Sequence, residues 1–163
     1  ALAVSAGKHS AGAAATGALS SALSRVPIPP DQGGCDDPPF TGRCLCGAVT
    51  YRCEAAPLWQ GHCHCESCRR ATASPFTSFL GVRNGTWSWT GQAPATFNSS
   101  PGTWRDFCPH CGTQMAYRST RWPDEMHFYA ATLDDPLAYQ PTAHFHSVEQ
   151  LPWVHLSDGL PLK

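Results

Sequence analysis

From Pro38 onward the chain carries short apolar runs, rich in aromatic and β-branched residues, each cut off by Gly, Pro or Asn. Runs of this length and composition predict strands rather than helices. The predicted strands are Ala48–Cys53, Phe76–Val82, Thr86–Trp89, Thr103–Phe107, Gln114–Arg118 and Met126–Ala131. Asn84-Gly85 stands between two of them and predicts a hairpin. His144 and His146 flank Phe145 with strand alternation, so they could face a cleft. A single short helix is expected over Glu66 to about Ala73. No repeat of 20–50 residues is visible. The expected fold is mostly β, with several small sheets and at most one or two short helices.

The N-terminal stretch has a different texture. Ala1 to Ala22 is almost entirely Ala, Ser, Gly, Thr and Leu, and a Pro-rich segment, Pro27-Ile28-Pro29-Pro30, follows. No acidic residue occurs before Asp31. Residues 1–37 therefore read as a flexible tail and linker, and 38–163 as the folded domain. Organelle targeting by residues 1–30 is the sharper alternative, but there is one Arg and no compact apolar region. A start without Met is what a fragment or a processed form would show.

Composition narrows the chemistry. Eleven Lys+Arg against twelve Asp+Glu leave a formal net charge of -1, which argues against a strongly basic nucleic-acid-binding surface. No apolar stretch approaches eighteen residues, so no membrane helix is expected. Nine cysteines are the strongest signal. An odd number cannot pair completely within one chain, and C-x-C spacing strains a disulfide ring. Cysteines in tight pairs point to metal ligation in a reducing compartment, with a cytoplasmic location expected.

The cysteines form three clusters: Cys44-Leu45-Cys46-Gly47, then His62-Cys63-His64-Cys65-Glu66-Ser67-Cys68-Arg69-Arg70, then Cys108-Pro109-His110-Cys111-Gly112. In a C-P-x-C-G knuckle the chain turns so that both thiolates reach one ion, and Gly accepts the tight backbone geometry. A closed zinc site needs four ligands. Cys44 and Cys46 with Cys108 and Cys111 supply them and would clamp the two ends of the β core. Cys63, Cys65 and Cys68 remain, three thiolates able to hold a second Zn²⁺ with an exchangeable fourth position. Three thiolates make zinc a poor activator of water and suit an incoming thiol. Arg69 and Arg70 would offset the site's charge or hold a substrate carboxylate.

Two other distributions stay open on sequence grounds. His62, His64 or Cys53 could close the second site, or Cys44 and Cys46 could pair with part of the second cluster. Cys35 reads as a bystander and Cys53 as a small core residue. Asp124-Glu125 and Asp134-Asp135-Pro136 read as turn-forming acids, His127 as a strand residue, and the six Trp as packing residues. No G-x-G-x-x-G, P-loop, H-E-x-x-H or G-x-S-x-G motif is present.

In this order and spacing the clusters resemble the glutathione-dependent formaldehyde-activating enzyme family, grouped with the centromere protein V domain. The residues carrying the resemblance are 42–51, 63–70 and 107–113, with Ser74-Pro75-Phe76, Leu133-Asp134-Asp135-Pro136 and Leu151-Pro152-Trp153 behind them. The resemblance covers about residues 38–163. It implies a Mss4-like β-tent of small antiparallel sheets built around zinc. It also implies the ligand division drawn above: Cys44, Cys46, Cys108 and Cys111 structural, and Cys63, Cys65 and Cys68 at the active site. The activity implied is that of a carbon–sulfur lyase joining formaldehyde and glutathione, so a small thiol such as glutathione is the expected partner. Ala73 departs from the family, where Gly is expected. A non-catalytic zinc-stabilised binding module and a thiol redox or metal sensor are the competing functional classes.

Overall fold

Ten β-strands and one α-helix make up the regular structure among residues 39–163, the part described by this computed structural model, apart from three short 3₁₀ turns. The expectations for residues 1–37, including the tail, the linker, Cys35 and a targeting segment, lie outside the described residues. The strands are β1 Phe40–Arg43, β2 Thr50–Cys53, β3 Trp59–Cys63, β4 Thr77–Arg83, β5 Trp87–Trp89, β6 Ala95–Ser100, β7 Thr103–Phe107, β8 Gln114–Ser119, β9 Glu125–Tyr129 and β10 His144–Phe145. Helix α1, Glu66–Thr72, sits between β3 and β4. The fold is mostly β.

The strands sort into a three-stranded sheet, β1-β2-β5, and a seven-stranded sheet, β10-β3-β4-β9-β8-β7-β6. All pairings are antiparallel except β10 with β3. The larger sheet is joined at its middle by a short ladder, Ala116 with Phe128 and Tyr117 with His127.

The six predicted strands are present, with ends moved by one or two residues. The Asn84-Gly85 turn also forms, with Gly85 at φ 87 and Thr86 N–H donating to the Arg83 carbonyl at 3.2 Å. It does not make a hairpin. β4 already has β3 on one side and β9 on the other, so β5 crosses to pair with β2 in the smaller sheet. Strands β1, β3 and β6 escape the periodicity reading, while β10 falls on the alternation at His144 and Phe145. β6 (ATFNSS) is a largely exposed edge strand and needs no apolar face. β3 (WQGHC) is held in register by β4 and β10 despite its Gly and His.

The main core lies between the two sheets. Tyr51 stacks on Phe128 with ring centroids 4.0 Å apart, and Trp87 and Trp89 meet Phe128 edge-on. Val49, Leu80, Val82 and Met115 fill the remainder, together with Cys44, Cys53 and Cys108. Burying one such side chain stabilises by roughly 1.5–3 kcal/mol. A second, smaller cluster gathers Phe79 and Tyr129 around Cys63 and Cys68. Each cysteine group is thus seated in its own apolar nest.

Helix α1 starts and stops on identifiable residues. The Cys65 Sγ accepts from the Cys68 N–H at 3.4 Å, acting as the N-cap. Ala73 closes the helix in the left-handed conformation, φ 51 and ψ 35. Gly is favoured at that position because a Cβ there costs roughly 1–2 kcal/mol.

Candidate metal centres

The first cysteine group is built from two knuckles of the same design. Cys44 and Cys46 follow β1, and Cys108 and Cys111 follow β7. In each, a glycine N–H closes the turn onto the first cysteine's carbonyl: Gly47 to Cys44 at 3.0 Å and Gly112 to Cys108 at 2.9 Å. Both glycines have φ near the left-handed region, 77 and 75, where a side chain would be strained. The Leu45 N–H donates to Thr113 Oγ1 at 3.1 Å and ties one knuckle to the other. The Val49 N–H points at the Cys44 sulfur at 3.3 Å.

The four sulfurs lie within 4.8 Å of one another. Cys44 to Cys46 is 3.5 Å and Cys46 to Cys108 is 3.7 Å. Four thiolates around Zn²⁺ at about 2.3 Å would stand about 3.8 Å apart along each tetrahedral edge. The donor set and its spacing fit a closed zinc site. Hydrogen bonds from the Thr113 side chain and backbone pull the Cys111 thiol down to about 5, readying it as a thiolate.

The second group is Cys63 at the end of β3, Cys65 at the helix cap and Cys68 in the first turn of α1. Its three sulfurs also lie within 4.8 Å of one another, with Cys63 to Cys65 at 3.4 Å. Cys63 and Cys68 are buried and Cys65 is half-buried. Sulfurs this close cannot all ionise without a cation. Donation from Cys63, then from Cys68, drops Cys65 to about 2, while Cys65 and Cys68 push Cys63 far above the ordinary thiol range. A cation held among the three sulfurs would displace their protons.

No other Cys, His, Asp or Glu among the described residues joins this trio. His62 Nδ1 is engaged with Ser78 Oγ at 2.9 Å, and His64 Nε2 with His144 Nδ1 at 2.9 Å. Cys53 is in the main core. None of the three closes the site. The mixed arrangement, Cys44 and Cys46 with part of the second cluster, is likewise not formed, because those two face Cys108 and Cys111.

The predicted arginines are only partly where they were expected. Arg69 turns back to donate from Nε to the His64 carbonyl at 2.8 Å and pins the loop between β3 and α1. Arg70 pairs with Glu66 at 2.7 Å on an exposed helix face. The cation beside the sulfurs is Arg105 of β7, buried at 4% exposure. It donates to Tyr129 Oη at 3.1 Å and to Ser67 Oγ at 2.9 Å, and its charge acts on Cys68. In sequence Arg105 is one ordinary residue of a strand. Its only signal is an Arg placed among aromatic and β-branched neighbours.

The remaining candidates fall into structural roles. His127 is a buried strand residue bonded to Glu125 at 3.0 Å, and Glu125 also accepts from Trp59 Nε1 at 2.8 Å. Asp134 pairs with Arg43 at 3.0 Å, and Asp135 caps the following turn through the Leu137 N–H at 2.9 Å. His144 does not open on a cleft. It is fully buried between His64 and Asp158, whose carboxylate is 3.0 Å from Nε2. Among the described residues no helix is long and apolar enough to cross a membrane.

The model of the family described as glutathione-dependent formaldehyde-activating enzyme matches residues 39–149. Over 125 residues the chain is 29% identical to a Halomonas elongata protein named "Putative glutathione-dependent formaldehyde-activating enzyme", covering 71% of this chain and 79% of that one. Over 83 residues it is 31% identical to an uncharacterized lyase of Schizosaccharomyces pombe, covering 51% of this chain and 60% of that one. A crystal structure of a Rhodobacter sphaeroides protein superposes with a TM-score of 0.49 at 19% identity, covering 76% of this chain and 99% of that chain.

Proposed function

The chain belongs to the glutathione-dependent formaldehyde-activating enzyme family, and on that premise we propose that it is a zinc-dependent carbon–sulfur lyase acting on the adduct of a small thiol and an aldehyde. Glutathione and formaldehyde are the pair the family's name supplies. The observation that carries the reading is the Cys63, Cys65 and Cys68 trio with no fourth protein ligand beside it among the described residues. A structural site fills its coordination with protein, whereas a catalytic one leaves a position for substrate.

In this reading Cys44, Cys46, Cys108 and Cys111 hold a structural zinc, and Cys63, Cys65 and Cys68 hold a second. A zinc ion there would supply the positive charge that keeps a substrate thiol ionised at neutral pH. The chain's own residues do the rest. The apolar nest of Phe79 and Tyr129 excludes water from the sulfurs. Arg105, tied to Tyr129 and Ser67, keeps a fixed positive charge beside Cys68. In the synthetic direction the thiol sulfur bonds to the aldehyde carbon, and the thiol proton ends on the new hydroxyl. In the lyase direction the same carbon–sulfur bond breaks. Holding the two reactants together is the main contribution expected of the protein. The free thiols suit a reducing compartment such as the cytoplasm.

Native mass spectrometry of the full chain, with and without glutathione, tests the reading. Two zincs per chain and a glutathione adduct are expected. Cys63→Ser should keep one zinc and lose the adduct and the turnover of S-hydroxymethylglutathione. One zinc, unaffected by glutathione, would overturn the proposal and leave a zinc-stabilised binding module.

A further inference from the structure

The two cysteine groups are held in different ways. Each knuckle of the four-sulfur group closes on its own glycine, Gly47 or Gly112, within a few residues of its cysteines. The stretch from Cys63 to Arg70 contains no glycine. Cys63 and Cys65 flank His64, so the backbone at His64 sets the spacing of their sulfurs, 3.4 Å. That backbone has to be fixed from outside the stretch.

His64 is fully buried and is gripped both at its backbone and at its ring. Its N–H donates to the Phe145 carbonyl of β10 at 2.9 Å, and its carbonyl accepts from Arg69 Nε at 2.8 Å. Its ring Nε2 lies 2.9 Å from Nδ1 of His144, which is buried as well. Nε2 of His144 in turn lies 3.0 Å from the Asp158 carboxylate. A carboxylate only accepts, so His144 donates from Nε2; with neutral rings its Nδ1 then accepts from His64 Nε2. The donors thus run in one direction, from His64 through His144 to Asp158. Asp158 is itself oriented by the Leu160 N–H at 3.1 Å. The His62 ring lies 5.2 Å from that of His144, and the Phe76 ring 5.6 Å from that of His64. Hydrogen bonds enclosed in this way are stronger than exposed ones.

The same part of the chain reaches the cysteine stretch at one more point. Glu149 Oε2 accepts from the Glu66 N–H, next to Cys65, at 2.8 Å. Imidazoles are costly to bury without partners, and the partners here lead from Asp158 to the residue between two sulfurs.

We propose that Asp158, acting through His144 and His64, is a positioning residue for the Cys63, Cys65 and Cys68 group, fixing the loop that sets the sulfur spacing for a metal ion. The inference rests on the metal-holding role given to that group above. Side chains that orient metal ligands indirectly are typically worth about 10–100-fold in metal affinity. Asp158 has 41% of its side chain exposed, so its replacement disturbs no core packing.

The test is the zinc affinity of the full chain, measured by competition with a coloured chelator, with the ions counted by native mass spectrometry. Asp158→Ala should weaken one of the two zincs by about 10–100-fold, leaving the single tight zinc expected of Cys63→Ser. His144→Phe should do the same. The double variant should lose no more than either single one, since both break one chain. If His144→Phe does not fold, Asp158→Ala decides alone. Unchanged affinity in Asp158→Ala would overturn the proposal. So would equal weakening of both zincs, the mark of general destabilisation, or losses that add in the double variant. Amide hydrogen exchange at residues 64–68 of the same proteins separates the anchor from the metal reading. If the wild-type chain holds only one zinc, the metal reading fails. Exchange about tenfold faster in Asp158→Ala than in the wild type then keeps the anchor, and equal exchange removes it.

Discussion

Replacing Cys108 by Ser should cost more stability than replacing Cys63 by Ser, by about 2 kcal/mol. A metal shared by Cys46 and Cys108 would cross-link positions 62 residues apart. Treated as a cross-link that restricts the unfolded chain, a loop of that length contributes about 4 kcal/mol. Cys108 is also completely buried, so a serine hydroxyl placed there without a partner adds about 1–3 kcal/mol. The sum, about 5–7 kcal/mol, is comparable to the whole stability of a typical domain, about 5–15 kcal/mol. The Cys63, Cys65 and Cys68 group instead closes a loop inside a single β3–α1 connection. The same relation assigns it only about 2 kcal/mol, and the same cost of burying an unpartnered hydroxyl at Cys63 brings the sum to about 3–5 kcal/mol. Zinc-replete urea titrations followed by Trp fluorescence provide the assay. With a slope of about 2 kcal/mol/M, Cys108→Ser should lower the midpoint by about 3 M or leave the domain unfolded. Cys63→Ser should shift it by about 2 M. Equal shifts, or a larger one for Cys63→Ser, would refute the division into a long-range clamp and a local open site.

Other expectations follow from single residues. Ala73→Gly should stabilise the domain by about 1 kcal/mol, because it relieves the left-handed cap of α1; a lower urea midpoint in that variant would contradict the helix-end geometry. The His127 side chain is held below its ordinary pKa by burial, with Glu125 pulling the other way. A folded pKa below the unfolded value of about 6.5 means that the unfolded chain takes up the proton first. Stability should therefore be complete above that pH and fall as the solution is acidified below it. His127→Gln should flatten this part of the pH profile, measured at constant zinc, and an unchanged slope would show that another group is responsible.

Much of the candidate chemistry was legible along the chain because metal knuckles are local objects. Cys44-Leu45-Cys46-Gly47 and Cys108-Pro109-His110-Cys111-Gly112 carry both their ligands and the glycine that closes the turn. The helix after Cys65 was legible for the same reason, since its cap and first turn lie within a few residues. The hairpin at Asn84-Gly85 was not. The turn is a local preference, but the partner of the next strand depends on which neighbours β4 already has. Strand β6 was invisible because an edge strand needs hydrogen bonds, not an apolar stripe.

The sequence by itself determined the mostly β character, the three cysteine clusters and the short helix that carries Cys68, all of which depend on residue type and short spacing. Only the tertiary structure decided that Cys44 and Cys46 face Cys108 and Cys111, that His62, His64 and Cys53 stay out of the second group, and that the cation beside the sulfurs is Arg105 rather than Arg69 or Arg70. Those outcomes join residues tens of positions apart. Their proximity is set by strand pairing and core packing over the whole sheet, and neither periodicity nor motif spacing carries that information.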